Sequence, residues 1–212
     1  MLHYHTLPVT AFQQNCSFVW CDQTNDAAVI DPGGDLEAIE WEIERLGVNL
    51  TAIWLTHGHI DHAGAVAEMA AKMPLDIVGP HEGDRFWING LPQQSAMFGF
   101  PPAQTFEPTR WLNDGDTVQV GLETLQVRHT PGHTPGHVVF HAPQIDRCFV
   151  GDVLFAGSIG RTDFPQGNHQ HLIDSIVQRL WPMGDQTVFI PGHGPESSFG
   201  RERKTNPYVG NT

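Results

Sequence analysis

The most concentrated group of metal-binding side chains in the sequence is Thr-His-Gly-His-Ile-Asp-His, which begins at Thr56. In an extended segment the side chains alternate between two faces, so His57 and His59 can point at one cation. Asp61 and His62 follow at the expected start of a helix, where their side chains can diverge toward a second position. The spacing therefore predicts two neighbouring cation sites, and a surface cluster of histidines is the alternative interpretation.

Short apolar runs that are typical of β-strands lead into this segment and into three other candidate ligands. The strand expected at residues 52–55 precedes the segment itself, and those expected at 124–129, 147–150 and 187–190 precede His133, Asp152 and His193. Taken alone, each of these three residues is as consistent with a structural role as with a functional one. Together with the His-rich segment, they complete a set of seven ligands.

We predict that His57, His59 and His133 bind the first metal ion and that the carboxylate of Asp152 bridges both ions. The expected ligands of the second ion are Asp61, His62 and His193. Nitrogen and carboxylate ligands without cysteine fit zinc, the metal that we expect, and they also fit iron or manganese.

The chemistry expected from such a pair of ions is hydrolysis. Two divalent ions about 3.5–4 Å apart can hold a bridging water and lower its pKa to about 7, which makes hydroxide available at neutral pH. One ion can also polarise a carbonyl oxygen and stabilise the charge that develops on it. We expect Asp61 and Asp152 to be catalytic, with Asp61 or water as the proton donor to the departing group.

Alternating strand and helix patterns predict a layered α/β fold with one domain over residues 1–212. Further strands are expected at residues 2–6, 17–21 and 27–30. One helix is expected between a capping Asp35 and a terminating Gly47, and another at residues 63–73. Residues 90–110 are rich in Pro, Gln and Phe and predict a long surface loop near the active-site mouth.

Composition excludes several classes of protein. The 11 Lys and Arg against 24 Asp and Glu give a net charge of −13, which argues against nucleic acid as a partner. No apolar stretch is long enough for a membrane span, and the first ten residues lack the features of an export signal, so a cytoplasmic location is expected. The three cysteines are expected to be reduced and mostly buried. A monomer or a small homo-oligomer is expected.

The segments THGHIDH, PGHTPGH, GD and PGHGP resemble those of the metallo-β-lactamase superfamily, and most closely those of glyoxalase II-like proteins. The likeness runs from about residue 12 to residue 207. It implies an αββα four-layer sandwich with the metals at one edge, and hydrolysis of a small-molecule thioester such as S-D-lactoylglutathione to D-lactate and glutathione. It also favours His133 over His137 as the ligand, leaves His137 a supporting role, and suggests that Asp31 orients a ligand histidine.

The sequence departs from the pattern of full-length glyoxalase II enzymes at two places. Full-length glyoxalase II enzymes add a helical domain that supplies cations for the carboxylates of glutathione, whereas this sequence resembles the short form and stops at Thr212. The segment Gly-Arg-Thr-Asp-Phe from Gly160 is similar to that of short glyoxalase II-like proteins and of persulfide dioxygenases. Arg161 and Phe164 are therefore candidate substrate-binding residues, and Arg161 could instead pair with Asp163.

Other functions fit parts of the pattern. A mononuclear iron persulfide dioxygenase would use His57, His133 and Asp152 as a facial triad. A hydrolase of another small ester or lactone would use the same two ions. A binding protein with a purely structural metal site is a third alternative, although such sites are usually closed and mononuclear. A true β-lactamase is less expected, because many of these enzymes have Cys at the position of Asp152.

Overall fold

Two β-sheets lie face to face in the computed structural model, which describes residues 1–210. The first sheet has five strands in chain order: β1 (Leu2–Val9), β2 (Gln14–Cys21), β3 (Asp26–Ile30), β4 (Asn49–Trp54) and β5 (Asp76–Val78). Strands β1 to β3 pair antiparallel, whereas β3, β4 and β5 pair in parallel. Parallel strands need crossover connections, and helices supply both of them here.

The second sheet has the order β13-β12-β9-β8-β7-β6. Its strands are β6 (Thr117–Val120), β7 (Glu123–His129), β8 (Val138–Ala142), β9 (Arg147–Gly151), β12 (Val188–Pro191) and β13 (Ser197–Ser198), and a small hairpin consists of β10 (Leu154–Phe155) and β11 (Ser158–Ile159). All five residues of β8 are buried, as expected for a central strand that is covered on both faces.

Seven α-helices lie within residues 1–210: α1 (Leu36–Leu46), α2 (Ile60–Ala63), α3 (Val66–Lys72), α4 (Arg85–Asn89), α5 (Leu91–Phe98), α6 (His169–Ser175) and α7 (Phe199–Thr205). A short 3-10 turn, Glu82–Asp84, precedes α4.

Three apolar clusters show how the layers pack. The central cluster lies between the two sheets and includes Trp54 and Phe140, whose rings are 5.5 Å apart. A second cluster includes Ile39 of α1 and Ile53 of β4 and covers the outer face of the first sheet. The third includes Leu172 of α6 and Phe189 of β12 on the outer face of the second sheet. The order is helix, sheet, sheet, helix, so the predicted αββα sandwich is confirmed.

Of two local predictions about helices, one is confirmed with a later start and the other is wrong. The helix expected at residues 63–73 is present as α3, Val66–Lys72, and it is separated from α2 at residues 64 and 65, where the backbone N–H of Ala65 donates to the carbonyl of Pro32. Asp35 does not cap α1 with its side chain. Its carboxylate instead accepts a hydrogen bond from the backbone N–H of Thr10 at 2.7 Å, so it joins the β1–β2 turn to the start of the helix.

The long loop predicted for residues 90–110 contains a helix, α5, although its predicted place beside the site mouth is correct. Pro92 lies in the first turn, where the missing N–H is harmless. The helix ends at Gly99, whose φ of 73° is the left-handed conformation that glycine adopts readily. The buried face of α5 carries Gln94 and Ser95 beside Leu91, so it lacks the apolar period that would have revealed it.

The cysteines and the helices bear on two predictions, those of reduced thiols and of a chain without a membrane span. Cys16, Cys21 and Cys148 are buried free thiols, as predicted. Across residues 1–210, none of the helices has both the length and the apolar character that a bilayer span needs. The predicted domain runs to residue 212, and residues 211 and 212 lie outside the described part of the chain.

Candidate metal centre

The seven predicted ligands come together at one edge of the sandwich. The segment after β4 carries four of them, and the loops after β7, β9 and β12 carry His133, Asp152 and His193. Strands β9 and β12 are parallel neighbours, so both deliver a side chain to the same edge. An isolated bridge between Gln14 and His193 joins the last of these loops to the first sheet. The strand ends therefore converge as the sequence predicts.

The first group consists of His57, His59 and His133. One nitrogen from each ring lies within 4.8 Å of the others, and all three side chains are buried. The Nδ1 atom of His59 is 2.9 Å from Nε2 of His133. Burial, together with the neighbouring imidazoles, lowers the pKa of His57 and of His59 well below the usual value. These imidazoles are therefore neutral, which is the form that binds a metal ion.

The second group consists of Asp61, His62 and His193, again with one ligand atom each within 4.8 Å. Oδ2 of Asp61 is 3.0 Å from Nε2 of His193 and 3.7 Å from Nε2 of His62. Burial lowers the pKa of His62, but the carboxylates of Asp152 and Asp61 outweigh it and hold this pKa well above the usual value. The raised pKa shows that two carboxylates, those of Asp61 and Asp152, lie beside this group, and a bound cation would interact with the same two carboxylates.

Asp152 lies between the two groups. Its Oδ1 is 3.4 Å from Nε2 of His62, and its Oδ2 is 3.6 Å from Nε2 of His133 and 3.7 Å from Nε2 of His193. Burial raises the pKa of Asp152, but the surrounding histidines, His62 first, hold it below the usual value. One ionised carboxylate is therefore in reach of both groups.

Unpartnered polar atoms show that the site fits cations. Over residues 1–210, six buried side-chain nitrogen and oxygen atoms lack a hydrogen-bond partner, and four of them belong to the predicted ligands: Nε2 of His57, His59 and His62, and Oδ1 of Asp152. A buried polar atom without a partner is costly, and native proteins rarely keep several together. Bound cations would supply the missing partners of Nε2 of His57 and His62 and of Oδ1 of Asp152. The assignment of each side chain to one of two ions stays a prediction.

Two residues outside the ligand set hold the ligands in place, as the resemblance suggested. Oδ2 of Asp31 accepts a hydrogen bond from Nδ1 of His62 at 2.9 Å, which leaves Nε2 of that ring facing the site. His137 stacks on His57 at 4.8 Å, and its Nε2 accepts the backbone N–H of Asp152 at 3.1 Å. Asp31 and His137 therefore act by orienting ligands.

Asp84 is a supporting residue that sequence reasoning missed. Its Oδ2 accepts from the N–H of Gly58 at 2.9 Å and from the hydroxyl of Thr134 at 2.8 Å, and its Oδ1 accepts from the N–H of Gly136 at 2.6 Å. Burial raises the pKa of Asp84 to about 7, although these three donors oppose the shift. A single carboxylate thus joins the loop of His57 and His59 to the loop of His133.

Replacing Asp84 by Ala is expected to weaken both the fold and the site. Three buried donors would lose their acceptor at about 1–3 kcal/mol each, partly offset by removal of a buried carboxylate, so the free energy of unfolding should fall by about 2–4 kcal/mol. Misplaced ligands should lower kcat/KM by about 10- to 100-fold. Urea unfolding and steady-state kinetics measure the two effects. Asp76→Asn, at an exposed aspartate of β5, is the control, and equal stability of Asp84→Ala and wild type would contradict this role.

The ligand groups form the floor of a pocket of about 1070 Å³. Both candidate substrate-binding residues line it. Of the two alternatives for Arg161, the structure shows the ion pair, because its guanidinium donates to both carboxylate oxygens of Asp163 at 2.7 and 2.6 Å. The same guanidinium lies 4.1 Å from the ring centre of Phe164. Phe164 in turn packs edge-on against His59 at 5.3 Å.

Comparison with known proteins identifies the class of protein to which this fold and site belong. The model of the metallo-beta-lactamase superfamily matches residues 9–193. The chain belongs to this superfamily, and it is a metal-dependent hydrolase that acts on a small molecule. The predicted family and enzyme class are therefore confirmed.

Individual relatives agree with this class over nearly the whole chain. Hydroxyacylglutathione hydrolase GloC of Haemophilus influenzae is 43% identical, and the match covers 98% of each chain. The crystal structure of the BLEG-1 B3 metallo-beta-lactamase has a TM-score of 0.89 at 34% identity, with 98% of this chain and 99% of that chain covered. The crystal structure of TTHA1623 in a di-iron-bound form has a TM-score of 0.88, also at 34% identity, with 97% and 100% covered.

Proposed function

We propose that the protein is a dinuclear thioesterase that hydrolyses S-D-lactoylglutathione to D-lactate and glutathione. The observation that carries this proposal is the pair of three-residue groups that share the carboxylate of Asp152. The 43% identity to a hydroxyacylglutathione hydrolase supports the choice of substrate. The confirmed superfamily alone would also fit another small ester or a lactone.

The proposed ligands of the first cation are His57, His59 and His133, those of the second are Asp61, His62 and His193, and Asp152 is shared. When bound, two divalent cations lower the pKa of a coordinated water and polarise the carbonyl oxygen of the substrate. Zinc is the proposed metal, since imidazole and carboxylate ligands suit it, and iron or manganese are alternatives. The di-iron form of a structural relative supports a site for two ions.

The reaction places modest demands on a proton donor. Water adds to the acyl carbon, the carbon–sulfur bond breaks, and the sulfur leaves as a thiolate. A thiol has a pKa of about 8.5, so the thiolate is a good leaving group and can take its proton from water afterwards. Asp61 lines the pocket beside His193. We propose that it acts mainly by holding the second cation, and that Arg161 and Phe164 contact the substrate.

The test is hydrolysis of S-D-lactoylglutathione by protein of measured metal content. We expect close to two ions per chain and turnover of this thioester, and Asp61→Asn should lose the second ion and about 100-fold or more in kcat/KM, as single electrostatic groups in active sites do. Two bound metals without turnover of any thioester would overturn the proposal. Full activity of Asp61→Asn would overturn catalysis at the second ion.

The iron persulfide dioxygenase is the second candidate function, because the Gly-Arg-Thr-Asp-Phe segment at Gly160 favours it. Its proposed facial triad is His57, His133 and Asp152, and Oδ2 of Asp152 is 3.6 Å from Nε2 of His133. This function gives no role to the group of Asp61, His62 and His193. Oxygen uptake with glutathione persulfide separates the two functions.

The cytoplasmic location, the oligomeric state and the single-domain organisation stay predictions.

A further inference from the structure

The pocket above the ligand groups is much larger than a lactoyl group requires. Its volume of about 1070 Å³ lies at the upper limit of sites that bind a drug-sized ligand, whereas a lactoyl group has only three carbons. His59, Asp61 and His133 lie at its floor. A substrate with its thioester at the floor would therefore leave most of the pocket for another group.

Aromatic side chains form one continuous wall of this pocket. Trp87 packs edge-on against the ring of His59 at 4.4 Å, and Phe164 lies 6.2 Å from Trp87. Phe98 contacts Phe164 at 6.2 Å and Phe12 at 6.3 Å, both edge to face. These rings hold one another in place, so the wall is already formed before a ligand binds.

The rim of the pocket exposes apolar side chains to solvent. Phe12 is 45% exposed, Phe86 is 50% exposed and Met97 is 76% exposed, and all three line the same opening. Isolated exposed apolar residues are ordinary, but several at the mouth of one pocket indicate a surface that binds an apolar ligand.

Beyond the ligand groups, the pocket wall offers little positive charge to an anionic part of a substrate. Arg161 is the sole Lys or Arg lining this pocket within the described chain, and its guanidinium is already held by the carboxylate of Asp163. Glutathione carries two carboxylates, and no unpaired cation from residues 1–210 lines the pocket to receive them. The wall is therefore better matched to an apolar group than to the peptide part of glutathione.

We propose that the wall of Trp87, Phe98 and Phe164, with Phe12, Phe86 and Met97 at its rim, binds an aromatic or branched apolar group joined to the scissile thioester. The preferred substrates are then thioesters with such a group a few bonds from the carbonyl carbon, and S-D-lactoylglutathione, which has no such group, is hydrolysed with a lower kcat/KM. This inference rests on the proposed thioesterase activity. The apolar group can be borne by the acyl part or by the thiol part.

Two pairs of substrates test whether the wall binds an apolar group on the acyl part or on the thiol part of the thioester. S-D-Mandeloylglutathione and S-D-lactoylglutathione differ by a phenyl group in place of a methyl group on the acyl side. The D-lactoyl thioesters of benzyl mercaptan and methyl mercaptan differ by a benzyl group in place of a methyl group on the thiol side. The aromatic member of at least one pair should have a kcat/KM about tenfold or more higher, as hydrophobic pockets discriminate. The pair that responds identifies the side. Equal or lower values for the aromatic member in both pairs overturn the proposal.

Substitutions in the pocket test whether the aromatic wall causes the preference for aromatic substrates. Phe86→Ala and Phe98→Ala should each reduce the aromatic-to-lactoyl or benzyl-to-methyl ratio of kcat/KM severalfold. A ratio measured on one preparation is independent of the fraction of folded protein, so a folding defect cannot imitate this result. Trp41→Ala removes an aromatic side chain of α1 that is 62% exposed and does not line the pocket, and it should leave the ratio unchanged. Unchanged ratios in both pocket variants overturn the assignment of the wall.

A binding measurement separates failure of this inference from failure of the proposed function. S-Benzylglutathione and S-methylglutathione are thioethers that cannot be hydrolysed, and calorimetry gives their affinities without turnover. If no thioester is hydrolysed, the thioesterase proposal fails. The apolar wall is then supported if the benzyl compound binds about tenfold tighter, and it is overturned if the two compounds bind equally.

Discussion

Replacement of Asp152 by Asn is expected to lower kcat/KM for the preferred thioester by at least about 1000-fold, or about 4 kcal/mol of activation free energy. The reason is that this one carboxylate reaches both ligand groups. Its Oδ1 is 3.4 Å from Nε2 of His62, and its Oδ2 is 3.6 Å from Nε2 of His133. Asn keeps the size of the side chain but removes its charge. Two cations held side by side would then repel each other without a shared anion between them.

Metal content and folding must be measured with this variant. We expect the metal content of Asp152→Asn to fall from two ions per chain toward one, while its backbone N–H still donates to His137 and the thermal unfolding remains cooperative. Asp76→Asn makes the same chemical change at an exposed position of β5 and should keep wild-type kinetics. An Asp152→Asn protein with two bound ions and normal kcat/KM would disprove the role of the shared carboxylate.

The elements that carry the candidate site could be predicted because strand ends are marked in the sequence. His133 and His193 both follow Pro-Gly at the end of an apolar run, and the His-rich segment follows β4. Apolar runs with abrupt polar ends report where strands stop, and side chains from several strand ends meet at one edge of a layered fold. The convergence of the seven candidate ligands therefore followed from local patterns.

Helix α5 and the supporting role of Asp84 could not be predicted from the sequence, because both depend on contacts between distant segments. Gln94 makes the buried face of α5 polar, because its side chain accepts from the N–H of Ile60 and donates to the carbonyl of Trp87. Asp84 has partners 26, 50 and 52 residues away, at Gly58, Thr134 and Gly136. A buried polar residue leaves no periodic signal in the sequence, since its partner is set by the tertiary fold.

These missed residues have a common effect on the site. Gln94 fixes the N-terminal end of α2, which carries Asp61 and His62, and Asp84 fixes the loops of His57, His59 and His133. Because α5 also bears Phe98 of the aromatic wall, the same buried amide links the substrate pocket to the second ligand group. A change in α5 is therefore expected to affect both substrate preference and metal affinity.

Removal of the metal ions is expected to abolish hydrolysis and to lower the melting temperature by about 8–16 °C. A ligand at 1000 times its Kd stabilises the folded state by about 4 kcal/mol, and in a chain of 212 residues each 1 kcal/mol shifts Tm by about 2–4 °C. The structural reason is the set of buried ligand atoms without partners, which includes Nε2 of His57 and Oδ1 of Asp152. Calorimetry before and after dialysis against a chelator gives the shift.

Return of single metals to the chelated protein then tests which ion the site prefers. Zinc should restore both Tm and activity with two equivalents, and manganese or iron(II) provide the comparison, because the same nitrogen and oxygen ligands accept them. Chelation of Asp152→Asn should change Tm much less, since that variant holds fewer ions at the start. Protein shown to have lost its metal but with an unchanged Tm would mean that the buried imidazoles and carboxylates find their partners without a cation, and the stabilising role of the ions would have to be abandoned.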